Sequence, residues 1–259
     1  MLDIKNVEKT FNPGTINEKK ALNNINLHLD EGDFVTVIGG NGAGKSTILK
    51  SITKQLKRIS GDIKILDADI DSIHQTELAK TMAYVSTDRI SVDMTSCYDI
   101  VSQGRYPYTN KFGTLGMEDR AEIEKALKMV NAYDLRNEDF SRISDGQKQK
   151  IKLAMAICQK PDIIVLDEPT SFLDIKHKIE ILEILKDMAN SGMTVVMSLH
   201  ELELVRIIAD KVICVDKGEV IKFAGIEEVF TLDFISRLYH IEKNIFSEYS
   251  DKLGLRLIK

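Results

Sequence analysis

Residues 39–47, "GGNGAGKST", carry the chain's densest chemistry. They fit G-x-x-x-x-G-K-[ST] through Gly39, Gly44, Lys45 and Ser46, with Asn41, Gly42 and Ala43 inside the spacing and Thr47 after it. Glycines at these positions let the backbone curl so that successive N–H groups face one point, a concave anion site at the start of a helix. A lysine there reaches the β- and γ-phosphates of a nucleotide, and the hydroxyl after it suits Mg²⁺. A glycine-rich turn with an unrelated lysine is the plain alternative. It gives no reason for the flanks, a β-branched strand run "DFVTVI" before and the helix-forming "KSTILKSIT" after.

A phosphate cradle with Mg²⁺ needs an acidic partner, and "IIVLDEPTSFLD" (163–174) supplies one. Four apolar residues predict a buried strand, with Asp167 emerging at its carboxyl end, where open α/β sheets place ligands. Asp167 suits Mg²⁺; Glu168 suits polarising a water for attack on a γ-phosphate. Adjacent carboxylates after a strand also suit a helix N-cap region, so both readings stand. A third stretch, "SDGQKQK" (144–150), has no catalytic pair or metal-ligand spacing, and Ser144 fits the N-cap of the helix that follows.

The elements that must position these residues read as mixed α/β. "GDIKILDAD" alternates like a half-exposed strand. Ile123, Leu127 and Val130 recur at helical spacing from Glu118, and Ile175, Ile179, Leu182, Leu185 and Met188 do so in a longer helix that Gly192 can close. "IIVL" and "TVVMSL" read as buried parallel strands, and "KVICVDKGEVIKF" as a hairpin turning at Lys217-Gly218. No linker or repeat separates independent domains.

At 259 residues, 43% hydrophobic and 29% charged, the chain can bury a large core. Its net charge of -5 gives no global electrostatic reason to bind nucleic acid. Cys97, Cys158 and Cys214 lack CxxC spacing and read as small buried thiols in a reducing compartment. The N-terminal "MLDIKNVEKTF" lacks an apolar h-region, so no signal peptide is expected, and no apolar run has bilayer-crossing length.

Taken in order, the three motifs resemble the ATP-binding cassette family. "ISDGQKQKIKLAMAI" is similar to its signature loop, usually LSGGQ, here with Ile143 for Leu and Asp145 for the first Gly. Asp174 in "SFLD" resembles the D-loop, His200 in "MSLHE" the switch histidine, and Phe11 in "KTFNPG" the aromatic that stacks on adenine. A lone histidine is more often an ordinary polar residue, and an aromatic near a strand end is commonly core. The resemblance covers residues 2 to about 225. It implies a phosphate-loop core with a mixed sheet flanked by helices, an N-terminal antiparallel β region and an inserted helical subdomain at about 90–160, the remainder, 226–259, being a helical tail. It also implies ATP and Mg²⁺ as cofactors, and a second copy of the chain, or a homologous ATPase, whose Ser144, Gly146 and Gln147 close over the bound nucleotide. An integral membrane permease and, indirectly, a solute-binding protein complete the implied assembly at the cytoplasmic face of the membrane.

The family usually carries glutamine where "MAYVSTDRI" has Thr87. "STDR" with "SDGQ", and "GRYPY" in 104–108, resemble the importers of ferric siderophores, haem or cobalamin, whereas the N-terminal region resembles a branch with amino-acid-type cargo. Outside transport, a cassette ATPase serving ribosomes or DNA repair usually has two cassettes or a long insertion, and a small-molecule kinase gives no reason for "SDGQ".

Overall fold

The computed structural model describes residues 1–58, 60–88, 92–250, 252, 255 and 257. Along the chain run β1 (Leu2–Phe11), β2 (Lys19–Leu29), β3 (Phe34–Ile38), α1 (Lys45–Ile52), β4 (Ser60–Ile65), β5 (Ala68–Asp69), α2 (Gln75–Thr81), β6 (Met82–Val85), α3 (Cys97–Ser102), α4 (Met117–Met129), α5 (Asp145–Cys158), β7 (Ile163–Leu166), α6 (Ile175–Asn190), β8 (Thr194–Ser198), α7 (Leu202–Ile208), β9 (Lys211–Asp216), β10 (Glu219–Gly225), α8 (Ile226–Val229), α9 (Leu232–Leu238) and α10 (Lys243–Ser250). They group into two compact units, Met1–Ile73 with Thr194–Lys259, and His74–Met193.

The first unit holds the phosphate-loop strand. All five residues of β3 are buried, as a fully enclosed strand requires. β3 pairs in parallel with β8 (Phe34 opposite Val195) on one side and with β9 (Val35 opposite Lys211) on the other. β10 turns back antiparallel on β9 through the expected hairpin, where Lys217 and Gly218 both take positive φ, 48° and 81°. The N-terminal region is antiparallel in the order β2-β1-β4-β5, and "GDIKI" alternates in burial within β4.

The second unit is mainly helical. β6 and β7 pair in parallel, with Tyr84 opposite Val165, and all four residues of β7 are buried. α5 is its central helix, burying Ile151, Leu153, Ala154, Ala156, Ile157 and Cys158, and it packs on α3 and α4. Gly104 makes part of that packing possible, because a Cβ there would lie 2.3 Å from the Met155 carbonyl oxygen. The expected apolar spacings hold in α4, where Ile123 and Leu127 are buried and Val130 follows as the buried C-cap. The longer helix expected from the apolar spacing forms as α6, with Leu182, Leu185 and Met188 buried and Ile175 and Ile179, in its first two turns, 65% and 45% exposed.

Residues 103–108 form a 3₁₀ segment, where an exposed loop with both tyrosines packed by Pro107 is the plain expectation. Tyr106 is 72% exposed, while Tyr108 lies under the Arg105 guanidinium, 3.9 Å from its ring centroid, and donates to the Gln159 carbonyl at 2.9 Å. Arg105 is 2% exposed and donates to Asp119 Oδ1 at 2.9 Å and to the Cys158 carbonyl at 3.0 Å. The Gly116 N–H, donating to Asp119 Oδ2 at 2.9 Å, and then Arg105 hold the Asp119 carboxyl below its ordinary range. The three cysteines are buried and unpaired, and among the described residues no helix is long and apolar enough to cross a membrane.

Removing one partner of such a pair leaves the other buried and uncompensated. Arg105→Ala should therefore destabilise the protein by about 3 kcal/mol in urea unfolding, and Arg105→Met with Asp119→Leu should recover much of that loss. Because the folded carboxyl titrates below its unfolded value, the pair's contribution is complete above the ordinary carboxylate range and is lost as pH falls through the lowered value. The wild type should thus lose more stability on acidification than the double variant.

Candidate functional site

In the first unit, the turn out of β3 depends on Gly39. Its φ is +149°, and a Cβ there would sit 2.1 Å from the Val215 carbonyl oxygen of β9, so no side chain fits. Gly42 and Gly44 follow with φ of 76° and 114°, and the loop is held from one side by the Gly218 N–H donating to the Ala43 carbonyl at 2.7 Å. α1 then starts at Lys45 with no side-chain cap and no acidic residue in its first turn, so the positive end of its dipole adjoins the glycine loop. Lys45 is buried, and its ammonium bends back to the carbonyls of Gly39 at 2.9 Å and Gly40 at 3.1 Å. Ser46 and Thr47 stand partly exposed in the first turn, and Asn41 and Gly42 are exposed at the tip. His200 is exposed just beyond β8, and Phe11 closes β1 with Lys9 Nζ 5.2 Å from its ring.

In the second unit, Asp167 follows β7 and is 5% exposed; its N–H donates to the Val85 carbonyl at 2.9 Å, the last rung with β6. The Tyr84 hydroxyl donates to Asp167 Oδ2 at 3.5 Å, and burial, then that carboxylate, pushes the phenol pKa up. Glu168 takes φ +47°, a conformation costly for a side chain and frequent at functional turns. Its Oε2 accepts from Ser171 Oγ at 2.9 Å. The helix-cap alternative for this acidic pair does not hold, since α6 begins seven residues later and Asp174 is its N-cap. The His177 N–H donates to Asp174 Oδ1 at 2.9 Å, and the His177 ring Nδ1 lies 2.8 Å from the same oxygen; both, the N–H first, hold the Asp174 carboxyl low.

Ser144 caps α5 in a reciprocal box: its Oγ accepts from the Gln147 N–H at 3.3 Å, and the Ser144 N–H donates to Gln147 Oε1 at 2.9 Å. Gly146, buried behind that cap, touches the same His177 that Asp174 holds, and a Cβ on it would lie 2.8 Å from the imidazole carbons. Lys150 reaches Glu180 on α6 at 2.7 Å. Signature, acidic strand end and D-loop positions are thereby brought together within this unit. A cavity of about 150 Å³ borders them, lined among others by Thr87, Asp145, Lys148 and Glu168. Arg89 of "STDR" lies outside the described residues.

Tyr84, Lys152, Ser171 and His177 are the residues that the motifs alone leave out. Ser171 lies three residues after Glu168 and His177 three after Asp174, spacings that a turn and a helix start bring together. No comparable pattern marks Tyr84, which reaches Asp167 from another strand.

A curled glycine loop on a buried parallel strand, followed by an uncapped helix, is the arrangement of a phosphate-loop nucleoside-triphosphate site. The family model of ABC transporters matches residues 22–171. Over 225 residues, 86% of this chain and 78% of the relative, the sequence is 39% identical to an uncharacterised ABC transporter ATP-binding protein of Methanocaldococcus jannaschii. It is 31% identical over 232 residues, 89% and 86% of the two chains, to the iron(3+)-hydroxamate import ATP-binding protein FhuC of Bacillus subtilis. The dimeric structure of a bacterial ABC transporter cassette superposes with a TM-score of 0.78 at 29% identity, covering 87% of this chain and 99% of that one. The chain belongs to the ABC transporter family, as an ATP-hydrolysing cassette.

The contact between Gly146 and His177 gives a sharp test. Gly146→Ala should lower the Tm, because the imidazole is pinned by Asp174 and cannot yield. Gly146→Ala combined with His177→Ala should regain most of the loss in a thermal unfolding series.

Proposed function

We propose that the chain is the ATPase subunit of an importer for an iron chelate, a ferric siderophore, haem or a cobalamin-like compound, working as a pair of copies beneath a separate membrane permease. The observation that carries the cargo reading is the similarity, over 89% of the chain, to a relative whose name states iron(3+)-hydroxamate import. The "GRYPY" segment and Thr87 support it. Residues 1–225 are assigned to one cassette domain with its helical subdomain at about 90–160, and 226–259 to a helical tail. The position is peripheral, at the cytoplasmic face, with a solute-binding protein delivering cargo to the permease from the other side.

Within one chain, the amides of Asn41, Gly42, Ala43, Gly44, Lys45, Ser46 and Thr47 curl around the β- and γ-phosphates. Gly39 makes the curl possible, and Lys45 leaves its two loop carbonyls to meet the phosphate charge. Phe11 stacks on adenine. The family resemblance assigns Mg²⁺ to the Ser46 hydroxyl and the Asp167 carboxylate, each a hard oxygen donor of the kind that ion takes. Bound there, Mg²⁺ would supply charge neutralisation on the phosphates. Glu168, held toward Ser171, orients and polarises water, and Thr87 borders the same cavity. His200 contacts the γ-phosphate. From the second copy, Ser144, Gly146 and Gln147 present the N-terminus of α5 to the same phosphate, with Asp174 at the seam. Closure brings two helical subdomains together and moves the permease; loss of the γ-phosphate releases them.

Glu168→Gln should bind Mg·ATP normally, lower kcat by about a hundred-fold or more, and accumulate as an ATP-bound dimer in size-exclusion chromatography. Ser144→Arg should abolish turnover in the dimer while one subunit's nucleotide affinity stays at wild type; a parallel loss of that affinity refutes action across the pair. The cargo is tested by reconstituting the chain with its permease in vesicles: a ferric hydroxamate should stimulate ATP hydrolysis where amino acids do not.

A further inference from the structure

Thr87 occupies the place where the family carries a longer, amide-bearing side chain, and it lies just past the end of β6, where ladder hydrogen bonding stops. What holds this short polar stretch is a lysine from the signature helix. The Lys152 ammonium donates to the Asp88 carbonyl at 2.7 Å and to the Ser86 carbonyl at 3.3 Å, the two carbonyls on either side of Thr87. Lys152 is 8% exposed, and burial pushes its pKa down, so the charge is kept in a dry place by these two acceptors. Within the stretch itself, the Asp88 N–H donates to Ser86 Oγ at 3.2 Å, a longer, neutral tie.

Lys152 shares one face of α5 with Asp145, Lys148 and Gln149, at helical spacings of seven, four and three residues. That face lines the cavity of about 150 Å³ that Thr87 and Glu168 also line. A water needs only about 10–15 Å³ of such space, so the cavity that Thr87 and Glu168 both line has room for water.

We propose that Lys152 is a positioning residue that staples the Ser86–Asp88 backbone to the signature helix, so that Thr87 acts on the Glu168 water through the shared cavity in place of the family's longer side chain. The proposal rests on the role given to Glu168 above. With the staple in place, the start of α5 and residues 86–88 move as one body. Docking of phosphate at the signature is then carried within the same chain to the surroundings of the catalytic carboxylate. Without the staple, Thr87 is too short to find that position by itself, and the cost falls on the chemical step, not on nucleotide binding.

The test uses the full chain as its ATP-dependent dimer. Lys152→Met keeps the length and apolar stem and removes the ammonium. It should lower kcat by about ten-fold or more with KM for ATP within about two-fold of wild type. Lys152→Arg, which can bridge both carbonyls, should restore most of kcat. Thr87→Ala should lower kcat similarly, and the double variant should be no worse than either single one, a non-additivity expected only if both act through one element. A wild-type kcat for Lys152→Met, an equal rise in KM, or additive losses in the double variant overturns the proposal. If Lys152→Met does not fold, Lys152→Leu, which likewise carries no donor, is held to the same expected split. Glu168→Gln run in parallel separates the two readings: normal hydrolysis by that variant defeats the site assignment itself, whereas its inactivity beside a fully active Lys152→Met defeats the staple alone.

Discussion

The arrangement turns on how two helix N-termini are finished. Each helix begins with amide groups that have no intrahelical partner, and the chain can cap them, bury them or present them. At α1 it presents them: no side chain caps the first turn and no acid competes with an incoming anion. At α5 it compromises, with Ser144 and Gln147 satisfying one another across the first turn while the backbone at Gly146 stays close against His177. The difference is chemical. At α1 the loop's glycines take the positive φ values that the curl requires, whereas α5 carries its own cap and is a complete helix start by itself.

In the second unit α5 is held by ionic and charge-assisted contacts as well as by its apolar packing. Lys150 meets Glu180, Lys152 meets the two carbonyls around Thr87, and the Arg105 guanidinium meets the Cys158 carbonyl at the far end of the helix while pairing with Asp119. Gln159, just past the end, donates to the carbonyls of Ala79 and Met82. Apolar packing alone would hold α5 in place but would tolerate sliding, because dispersion contacts are many and individually weak. Directional bonds at both ends fix its rotation and register, which suits an element that relays a displacement.

Much of this was legible in the residues themselves. The loop at 39–47, the buried "IIVL" strand with its acidic end, the α5 start at Ser144 and the hairpin at Lys217-Gly218 are local patterns whose physics is complete within a few neighbours. The contacts of Lys152 and Arg105 were not, because nothing next to them in sequence announces partners 64 or 53 residues away. A lysine on a helix usually faces water, and only the packing of α5 on its neighbours buries this one. How much of the α6 stripe is buried was not legible either. Apolar spacing identifies a helix and a stripe but not how far along the stripe the protein covers, and here coverage begins near Ile181, leaving Ile175 and Ile179 outside.

Asp145 shows the same tension at the scale of one charge. Where the family places glycine, this chain sets a carboxylate in the first turn of α5, a position that favours an isolated helix by interaction with the dipole. The same carboxylate repels a phosphate approaching that turn. Its side chain is mostly exposed and so screened by solvent and salt, and Lys148, one turn on, stands 4.0 Å away with the opposite charge. The local balance near the cap is therefore close to neutral instead of negative, and the neighbouring Lys152 adds a positive charge on the same face. Asp145 and the two lysines thus form one electrostatic unit: the acid favours the helix start, and the bases on its flank offset its charge.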